Sequence, residues 1–336
     1  MHNNASFKNR LRKLITGLNV PQEYCCLEFA GLSQGLSVYM TVNHNDNCVD
    51  VTDQQLLLGY KPLIIGLPPQ ADDSGIGNGQ RQICLNLVQG PFKDNMKWRS
   101  FPADKSSIAR IILSRIGERT VKGQQLNFYK GEYAAHSFLN PFYQFVNRRK
   151  EDLRRRPSDN IGLPGNLYDQ VRVGYAVPRR ISVITTSDGE LMNMFPTDLH
   201  GPFGDTGYAG SLRIGGEANN QVEKYKRVVL SEVDVASYKQ TYGLGKNHMR
   251  QLQLPNRFPI SSERSKSFGF PLPSQVTNYY ELNAVDSIDF GVHRIHLYEI
   301  VNRHQVKQGV GSLAHIHQYY AQWRVDHGLD TPILIR

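Results

Sequence analysis

The sequence predicts a mostly β, antiparallel protein of the barrel or sandwich type, arranged as two copies of one unit. Three observations support this prediction. The 336 residues exceed one ordinary domain, short strand-like runs outnumber helical ones, and the two halves resemble each other. With 40% hydrophobic and 21% charged residues, each half can bury a core, and disorder is not expected.

The internal repeat emerges when the sequence is shifted by 145 residues. The halves then register without a gap over residues 37–88, and Thr52-Asp53 falls on Thr197-Asp198. A further segment, Leu126–Lys130, resembles Ile295–Glu299, and both alternate as half-buried strands do. Chance similarity is the alternative to duplication. The polar, turn-rich residues 156–160 are the best linker candidate, which gives domains of residues 1–156 and 157–336.

Local patterns predict individual elements within this scheme. Alternating or β-rich runs predict the strands Ile181–Thr186, Tyr208–Ile214, Arg227–Val233 and Val292–Val301. Apolar stripes predict the helices Ser106–Ile116, Asn166–Val177 and Leu313–Trp323. Residues 242–275 contain several prolines and little periodicity, so we expect a long ordered insertion there rather than a domain.

The net charge of +9 favours anionic partners such as phosphates or a nucleotide cofactor. The densest basic run, Arg148–Lys150 followed by Arg154–Arg156, has helical spacing and no accompanying recognition motif. It favours a solvated helix face over a nucleic-acid patch, so we expect no nucleic acid partner. Since no apolar run reaches the roughly 18 residues of a membrane helix, we expect no membrane partner either.

The cysteines and histidines suggest neither disulfides nor metal. Cys25, Cys26, Cys48 and Cys84 form no disulfide framework and no Cys-x-x-Cys motif, and we interpret them as core residues. The first 18 residues lack a long apolar stretch, so we expect no secretory signal and a cytoplasmic protein. His293 and His296 would point to opposite faces of a strand, and His315 and His317 would be separated on a helix. We therefore expect no metal site.

One stretch of the second half resembles a known family. Val177–Gly189 contains a strand ending in Thr185-Thr186, and Asn193 to Asp198 follow a short turn. Later, Gly291-Val292-His293 precedes an alternating run that ends at Glu299. In order and spacing these motifs resemble the flavin reductase family of split-barrel proteins that bind flavin mononucleotide (FMN). The resemblance covers residues 166–301, with a weaker echo over residues 31–131.

The resemblance implies two tandem antiparallel Greek-key split β-barrels with a few peripheral helices. It also implies FMN at an interface, formed within the chain as a pseudo-dimer or between two chains as a homodimer. The cofactor-binding residues that it implies are Thr185, Thr186, Asn193, Met194, Thr197, Asp198, Ser211, Leu212, Arg213 and Lys246. Hydroxyl and backbone N–H donors would hold the flavin phosphate, and a cation would neutralise it. Without the resemblance, the two threonines would show only their preference for strands, and Asn193 would be a turn residue.

His293 is the implied catalytic residue, beside the nicotinamide or the flavin edge. The alternative is an ordinary strand histidine, and Val292 stands where the family often has Asp. The implied activity is reduction of FMN by NADH or NADPH, with the cofactor supplying the hydride chemistry. The alternatives are a flavin enzyme acting on another substrate and a non-enzymatic protein that binds flavin or another ligand. A Rossmann glycine pattern is absent.

The first copy lacks polar groups that the second one has. Gly66 stands opposite Ser211, and Cys48 stands opposite Asn193, when the offset of 145 is applied. A phosphate dianion that lacks two hydrogen-bond donors in its site is removed from water without interactions that offset the cost. We therefore expect one FMN per chain, bound mainly by the second half, with the first half as the opposing wall.

Overall fold

A computed structural model describes residues 12–29, 36–42, 48–69, 82–90, 107–153, 162–308, 310–329 and 333–334. Strands dominate these residues. The first half contains helix α1 (residues 12–16), β1 (Tyr24–Glu28), β2 (Leu36–Val42), β3 (Cys48–Asp50), β4 (Leu56–Tyr60), β5 (Leu63–Leu67), β6 (Gln82–Gln89), β7 (Ser107–Val121), β8 (Gln124–His136) and α2 (Pro141–Leu153).

The second half has more elements, because short helices and a small hairpin interrupt it. In order these are α3 (Leu167–Gly174), β9 (Arg179–Arg180), β10 (Ser182–Ser187), β11 (Met192–Thr197), β12 (His200–Phe203), β13 (Gly207–Arg213), α4 (Glu217–Tyr225), β14 (Arg227–Val233), α5 (Tyr238–Gly243), β15 (Ile260–Arg264), β16 (Pro271–Pro273), β17 (Val276–Phe290), β18 (His293–Gln305), β19 (Leu313–His317) and α6 (Gln318–Asp326).

The two halves build the same seven-stranded antiparallel sheet. The strand order is β3-β2-β6-β7-β8-β5-β4 in the first half and β11-β10-β14-β17-β18-β13-β12 in the second. Counted along each half, the two orders are identical. The β-bulges at Ile112/Leu113 and Arg115/Gly117 of β7 recur at Glu281/Leu282 and Ala284/Asp286 of β17. The mostly β fold class and its two copies are therefore confirmed.

The register between the copies differs from the gapless one that the sequence suggests. Leu126 and Ile295 are equivalent, as expected, because the bulges of the two long hairpins match around them. However, Gly66 pairs with Phe128, and Ala209 pairs with the equivalent Leu297. Gly66 thus corresponds to Ala209 and not to Ser211, because the β4–β5 hairpin is two residues longer. The position equivalent to Ser211 is Pro68, which also lacks a hydroxyl.

The two sheets pack face to face through equivalent positions. Leu58 and Phe203 are both buried in one apolar cluster, as are Phe128 and Leu297. This cluster joins the halves in the way that two subunits of a dimer would be joined. Leu58 and Phe203 are 145 residues apart, and Phe128 and Leu297 are 169 residues apart, so each pair occupies equivalent positions in the two halves. The contact is therefore close to two-fold symmetric.

Segments of the second half also complete the core of the first. The strand β19 pairs with β1 and β9, so a three-stranded sheet links the ends of the chain. Val171 of α3 and Trp323 of α6 pack in the same apolar cluster as Leu63 and Leu113 of the first sheet. The boundary at residues 156/157 stays a prediction, and the linker itself lies outside the described residues.

The helix predicted over Ser106–Ile116 is wrong. Residues 107–121 form β7, a central strand paired with both β6 and β8. Its isoleucines mimic a helical stripe because β7 carries one extra residue against β6, at Ile108, and one against β8, at Ile116, and these shift the alternation of its side chains. A continuous apolar run of this kind does not distinguish a buried strand from a helix.

The prediction for Leu313–Trp323 is half wrong, since residues 313–317 form β19 and the helix begins at Gln318. The remaining elements agree with expectation. The four predicted strands of the second half are present, α3 lies within Asn166–Val177, and residues 148–153 are helical. Residues 242–275 hold 3-10 helices and the β15–β16 hairpin. The basic residues 154–156 lie outside the described residues.

The described cysteines Cys25, Cys26 and Cys84 form no disulfide bond. Cys25 and Cys26 are buried in the core, whereas Cys84 is only half-buried, and the side chain of Cys48 lies outside the described residues. Within the described ranges, no helix has both the length and the apolar character that crossing a membrane requires. No three His, Cys, Asp or Glu side chains among those residues are grouped for a metal ion.

Candidate functional site

Two hairpin turns, one from each half, meet where the sheets join. The turn Gly291-Val292 between β17 and β18 lies against the turn Lys61-Pro62 between β4 and β5, and the Val292 N–H donates to the Lys61 carbonyl at 3.1 Å. Gly291 has φ +61°, and a Cβ there would come within 2.2 Å of that carbonyl oxygen. Glycine is therefore required for this close approach.

The contact between the turns places Tyr60 of the first half against His293 of the second. Their rings meet edge to face with centroids 4.3 Å apart. His293 lies opposite Arg213 in the sheet, and its Nδ1 is 3.2 Å from Ser211 Oγ. We call Tyr60, Asp198, Ser211, Arg213 and His293 the junction cluster. It reaches the surface through half-buried Tyr60 and exposed Arg213.

His293 is a buried, neutral imidazole. Its side chain is almost wholly enclosed, and burial lowers its pKa to about 4, with Arg213 adding to the effect and Asp198 opposing it. The Nε2 atom is buried and has no hydrogen-bond partner among the described residues. Because an unsatisfied buried polar atom is costly, this nitrogen is a natural contact point for a ligand. At neutral pH it can bind such a ligand but carries no charge.

Asp198 stays ionised behind the cluster. Burial would raise its pKa, but hydrogen bonds from His315 and Tyr175 hold the pKa below its ordinary value. His315 Nε2 lies 2.7 Å from Asp198 Oδ2, and His315 Nδ1 is 2.9 Å from the Tyr242 hydroxyl. The carboxylate is therefore occupied by protein donors and organises the wall of the cluster.

Four of the predicted cofactor residues lie together elsewhere on the sheet. Thr186 of β10 pairs with Asn193 of β11. The Asn193 side-chain amide donates to Gln221 Oε1 of α4 at 2.9 Å, and the Thr186 hydroxyl donates to the same atom at 3.2 Å. Asn193 also donates to the Asn247 carbonyl at 3.0 Å. These donors hold α4 and the 3-10 helix Leu244–Met249 onto the sheet. Thr185 and Met194 are fully buried beside them, and the Thr185 hydroxyl has no partner among the described residues.

The remaining predicted residues are placed separately. Thr197 is buried opposite Ser182, next to Asp198 in the chain. Leu212 packs in an apolar cluster on the sheet face opposite Ser211 and Arg213. Lys246 is exposed on its 3-10 helix. The structure thus brings Asp198, Ser211, Arg213 and His293 together and sets Thr185, Thr186, Asn193 and Met194 apart. Their part in flavin binding stays a prediction.

Sequence reasoning missed Tyr60, Tyr175 and His315. Tyr60 precedes a turn of the first copy. The internal repeat predicts that turn, but it does not predict that Tyr60 contacts His293 of the other half. In the sequence, His315 stands out only by its spacing from His317, which does not suggest a metal site. Its contact with Asp198 depends on β19 joining β1 and β9, a pairing across most of the chain.

No family model matches the sequence, and no curated protein sequence matches it either. Among solved structures, the chain is similar to the FMN-binding protein from Thermus thermophilus with bound p-hydroxybenzaldehyde. The TM-score is 0.38 at 16% identity, over 49% of this chain and 95% of that one. It is also similar to the NADH:FAD oxidoreductase SgcE6 of Streptomyces globisporus C-1027, with a TM-score of 0.40 at 14% identity, over 48% and 95%.

A third solved structure is the styrene monooxygenase flavin reductase SMOB from Pseudomonas putida S12. The TM-score is 0.37 at 10% identity, over 45% of this chain and 94% of that one. The likeness is thus to FMN-binding proteins and flavin reductases, the class that the sequence motifs resemble.

Proposed function

We propose that this protein is a flavin-binding reductase that holds one flavin at the junction cluster and reduces it with NADH or NADPH. The observation that carries the proposal is the buried, unpartnered Nε2 of His293, which faces Tyr60 of the other half at the join of two equivalent sheets. The sequence motifs around Thr185 and His293 indicate that the ligand is a flavin.

The residues of the junction cluster fit a planar, amphipathic ring with an anionic tail. The half-buried ring of Tyr60 and the imidazole of His293 offer an aromatic edge, and His293 Nε2 offers one hydrogen bond. Arg213 at the end of β13 and Lys61 in the facing turn are the cations. The phosphate would depend on these cations, because the donors of Thr186 and Asn193 are engaged with Gln221.

When bound, the flavin supplies the hydride chemistry. The chain's own groups bind and orient it. His293 is neutral at pH 7, so it positions the ring by a hydrogen bond and does not act as an acid. Arg213 places positive charge at the edge of the cluster. Burial raises the pKa of Tyr60, Arg213 lowers it and Asp198 raises it, so the phenol remains protonated.

We further propose that the halves arose by duplication and form an internal pseudo-dimer. The identical strand order and the matching bulges support this. The domain division at residues 156/157 is part of the same proposal. The described residues Cys25, Cys26 and Cys84 form no disulfide bond, which is compatible with a reducing compartment, and we propose the cytoplasm.

The test is the absorbance spectrum of the purified full chain, before and after addition of NADH or NADPH without oxygen. A flavin band that bleaches supports the reductase. A band that persists with both donors replaces the reductase with a flavin-binding protein without this activity. Absence of flavin, together with no uptake of added FMN or FAD, overturns the proposal.

A further inference from the structure

A polar cavity of about 120 Å³ lies between α1, α2, α3 and the start of β1. No residue of the junction cluster lines it. Its volume is several times the roughly 10–15 Å³ that one water requires. The lining includes the charged residues Arg12, Glu23, Lys150, Glu151 and Arg172.

Arg172 of α3 is the most deeply buried of these residues, with its side chain only 2% exposed. Its Nη2 donates to Glu23 Oε1 at 2.9 Å, and its Cζ lies 4.1 Å above the ring of Tyr168. Its Nε and Nη1 atoms are buried without a hydrogen-bond partner among the described residues. A charged donor left unsatisfied in the interior is strongly unfavourable, so the site calls for an acceptor.

The charges of the cavity favour a singly charged anion. Three cations face two carboxylates, and one of these carboxylates is already paired with Arg172. The neighbouring histidines add no charge at neutral pH, because burial lowers the pKa of His136 to about 3 and that of His317 well below its ordinary value. Arg148 is paired with Asp169. The charged residues that line the cavity therefore carry a net charge of one positive unit.

The surface around the cavity is apolar and basic. Large apolar side chains are exposed on two of the helices that line it, including Leu14 (72%) on α1 and Phe142 (65%) and Leu153 (81%) on α2. The Asn147 amide donates to the Thr16 carbonyl at 2.7 Å and so holds the two helices together. Exposed basic side chains lie beside them, namely Lys13, Arg149 and Lys150. Helices of this composition are typical of surfaces that lie at lipid headgroups without spanning the bilayer.

We propose that this cavity binds a singly charged phosphate group, with Arg172 as the buried anchor and Arg12 and Lys150 at the mouth. The same oxyanion chemistry comes from free dihydrogen phosphate or from the phosphodiester of a lipid headgroup. Oxygen acceptors of either source satisfy the guanidinium N–H groups that the protein leaves unpaired.

The experiment uses the full chain and two probes. Inorganic phosphate is titrated by calorimetry. Binding to phosphatidylcholine vesicles, with and without phosphatidylglycerol, is measured by flotation. We expect Arg172→Met to weaken the interaction about ten- to a hundredfold and Lys150→Gln to weaken it a few-fold. The control Lys239→Gln removes an exposed lysine on α5, outside the cavity, and should change nothing.

Phosphate binding that these variants weaken supports the site with a free ion as its source. Binding only to vesicles that contain phosphatidylglycerol, weakened by the same variants, supports it with a lipid as its source. No binding to either probe overturns the proposal. Equal binding by the wild type and Lys150→Gln also overturns it, and that variant changes only an exposed side chain.

Discussion

The two places where hairpin turns of the two halves approach each other are related by the internal repeat but differ in chemistry. At the junction cluster, Tyr60 meets His293, and the turns bond across the halves. At the second junction, Gly204 occupies the position of Tyr60, and Gln124 occupies that of His293. Here the Thr206 carbonyl accepts from Ile300 N–H of its own half, and Gln124 covers Gly204.

The difference extends to the acidic residue of each copy. Asp198 is held by His315 and Tyr175, whereas its counterpart Asp53 is exposed beside β4. The second junction is closed by an ion pair between Lys122 and Glu299, 3.2 Å apart. The same backbone arrangement thus forms a candidate ligand site at one junction and a contact whose polar groups pair with one another at the second. The side chains at each junction, not the fold, decide between these outcomes.

The largest expected difference between the junctions is one of stoichiometry. Titration of the apoprotein with FMN, followed by flavin fluorescence, should saturate at one equivalent per chain. The second junction lacks an aromatic contact and an unpaired imidazole, so it should stay empty. Two equivalents of equal affinity would show that the asymmetry has no functional meaning.

The next largest effect concerns the turn glycines. Gly291→Ala should destabilise the protein by about 2–4 kcal/mol, because the new Cβ meets the Lys61 carbonyl at 2.2 Å and φ is positive. Gly123→Ala in the equivalent hairpin is the matched control. It also has a positive φ but nothing within 4 Å, and should cost about 1 kcal/mol. Urea unfolding measures both, and equal losses would contradict the tight contact.

Stability should depend on pH through His293. Burial lowers its folded pKa to about 4 from 6.5, so between these values the unfolded chain binds a proton that the folded chain does not. Stability therefore rises with pH in this window and is lost as pH falls from about 6.5 to 4, by about 3 kcal/mol from this group. In urea unfolding, His293→Gln should flatten the dependence by that amount. Gln124→Ala at the second junction should leave it unchanged.

The cation at the end of β13 should matter for flavin affinity. Arg213→Met keeps the length of the side chain but removes the charge, and should weaken FMN binding about ten- to a hundredfold. Lys122→Met removes a cation at the second junction and should leave the dissociation constant unaltered. If the two substitutions weaken binding equally, the flavin is not held at the junction cluster.

The smallest effect is expected at Ser211. Ser211→Ala removes the hydroxyl 3.2 Å from His293 Nδ1 and should lower the free energy of unfolding by about 1 kcal/mol. The rate of flavin reduction, measured by stopped flow, should fall as well, since the imidazole loses the group that orients it. An unchanged stability and rate would show that the hydroxyl does not position His293.

Several elements could be foreseen because local pattern and fold agree. The strands around Val183 and Ile295 alternate or are rich in β-branched residues, and α3 has a clear apolar face. The repeat was visible because Leu126–Lys130 and Ile295–Glu299 keep the same alternation. By contrast, the apolar runs of β7 and β19 predict helices where the structure has strands, because a buried strand rich in apolar residues is not distinguished from a helix by its pattern.

The sequence alone determined the fold class, the two copies, the histidine at the start of β18 and the missing donors of the first copy. These follow from local alternation, turn residues and residue types, which are properties of short segments. Only the tertiary structure decided that Tyr60 meets His293, that Gln221 takes the donors of Thr186 and Asn193, and that His315 holds Asp198. Each of these contacts joins residues 28 or more positions apart, and tertiary packing fixes them, not the local pattern of the chain.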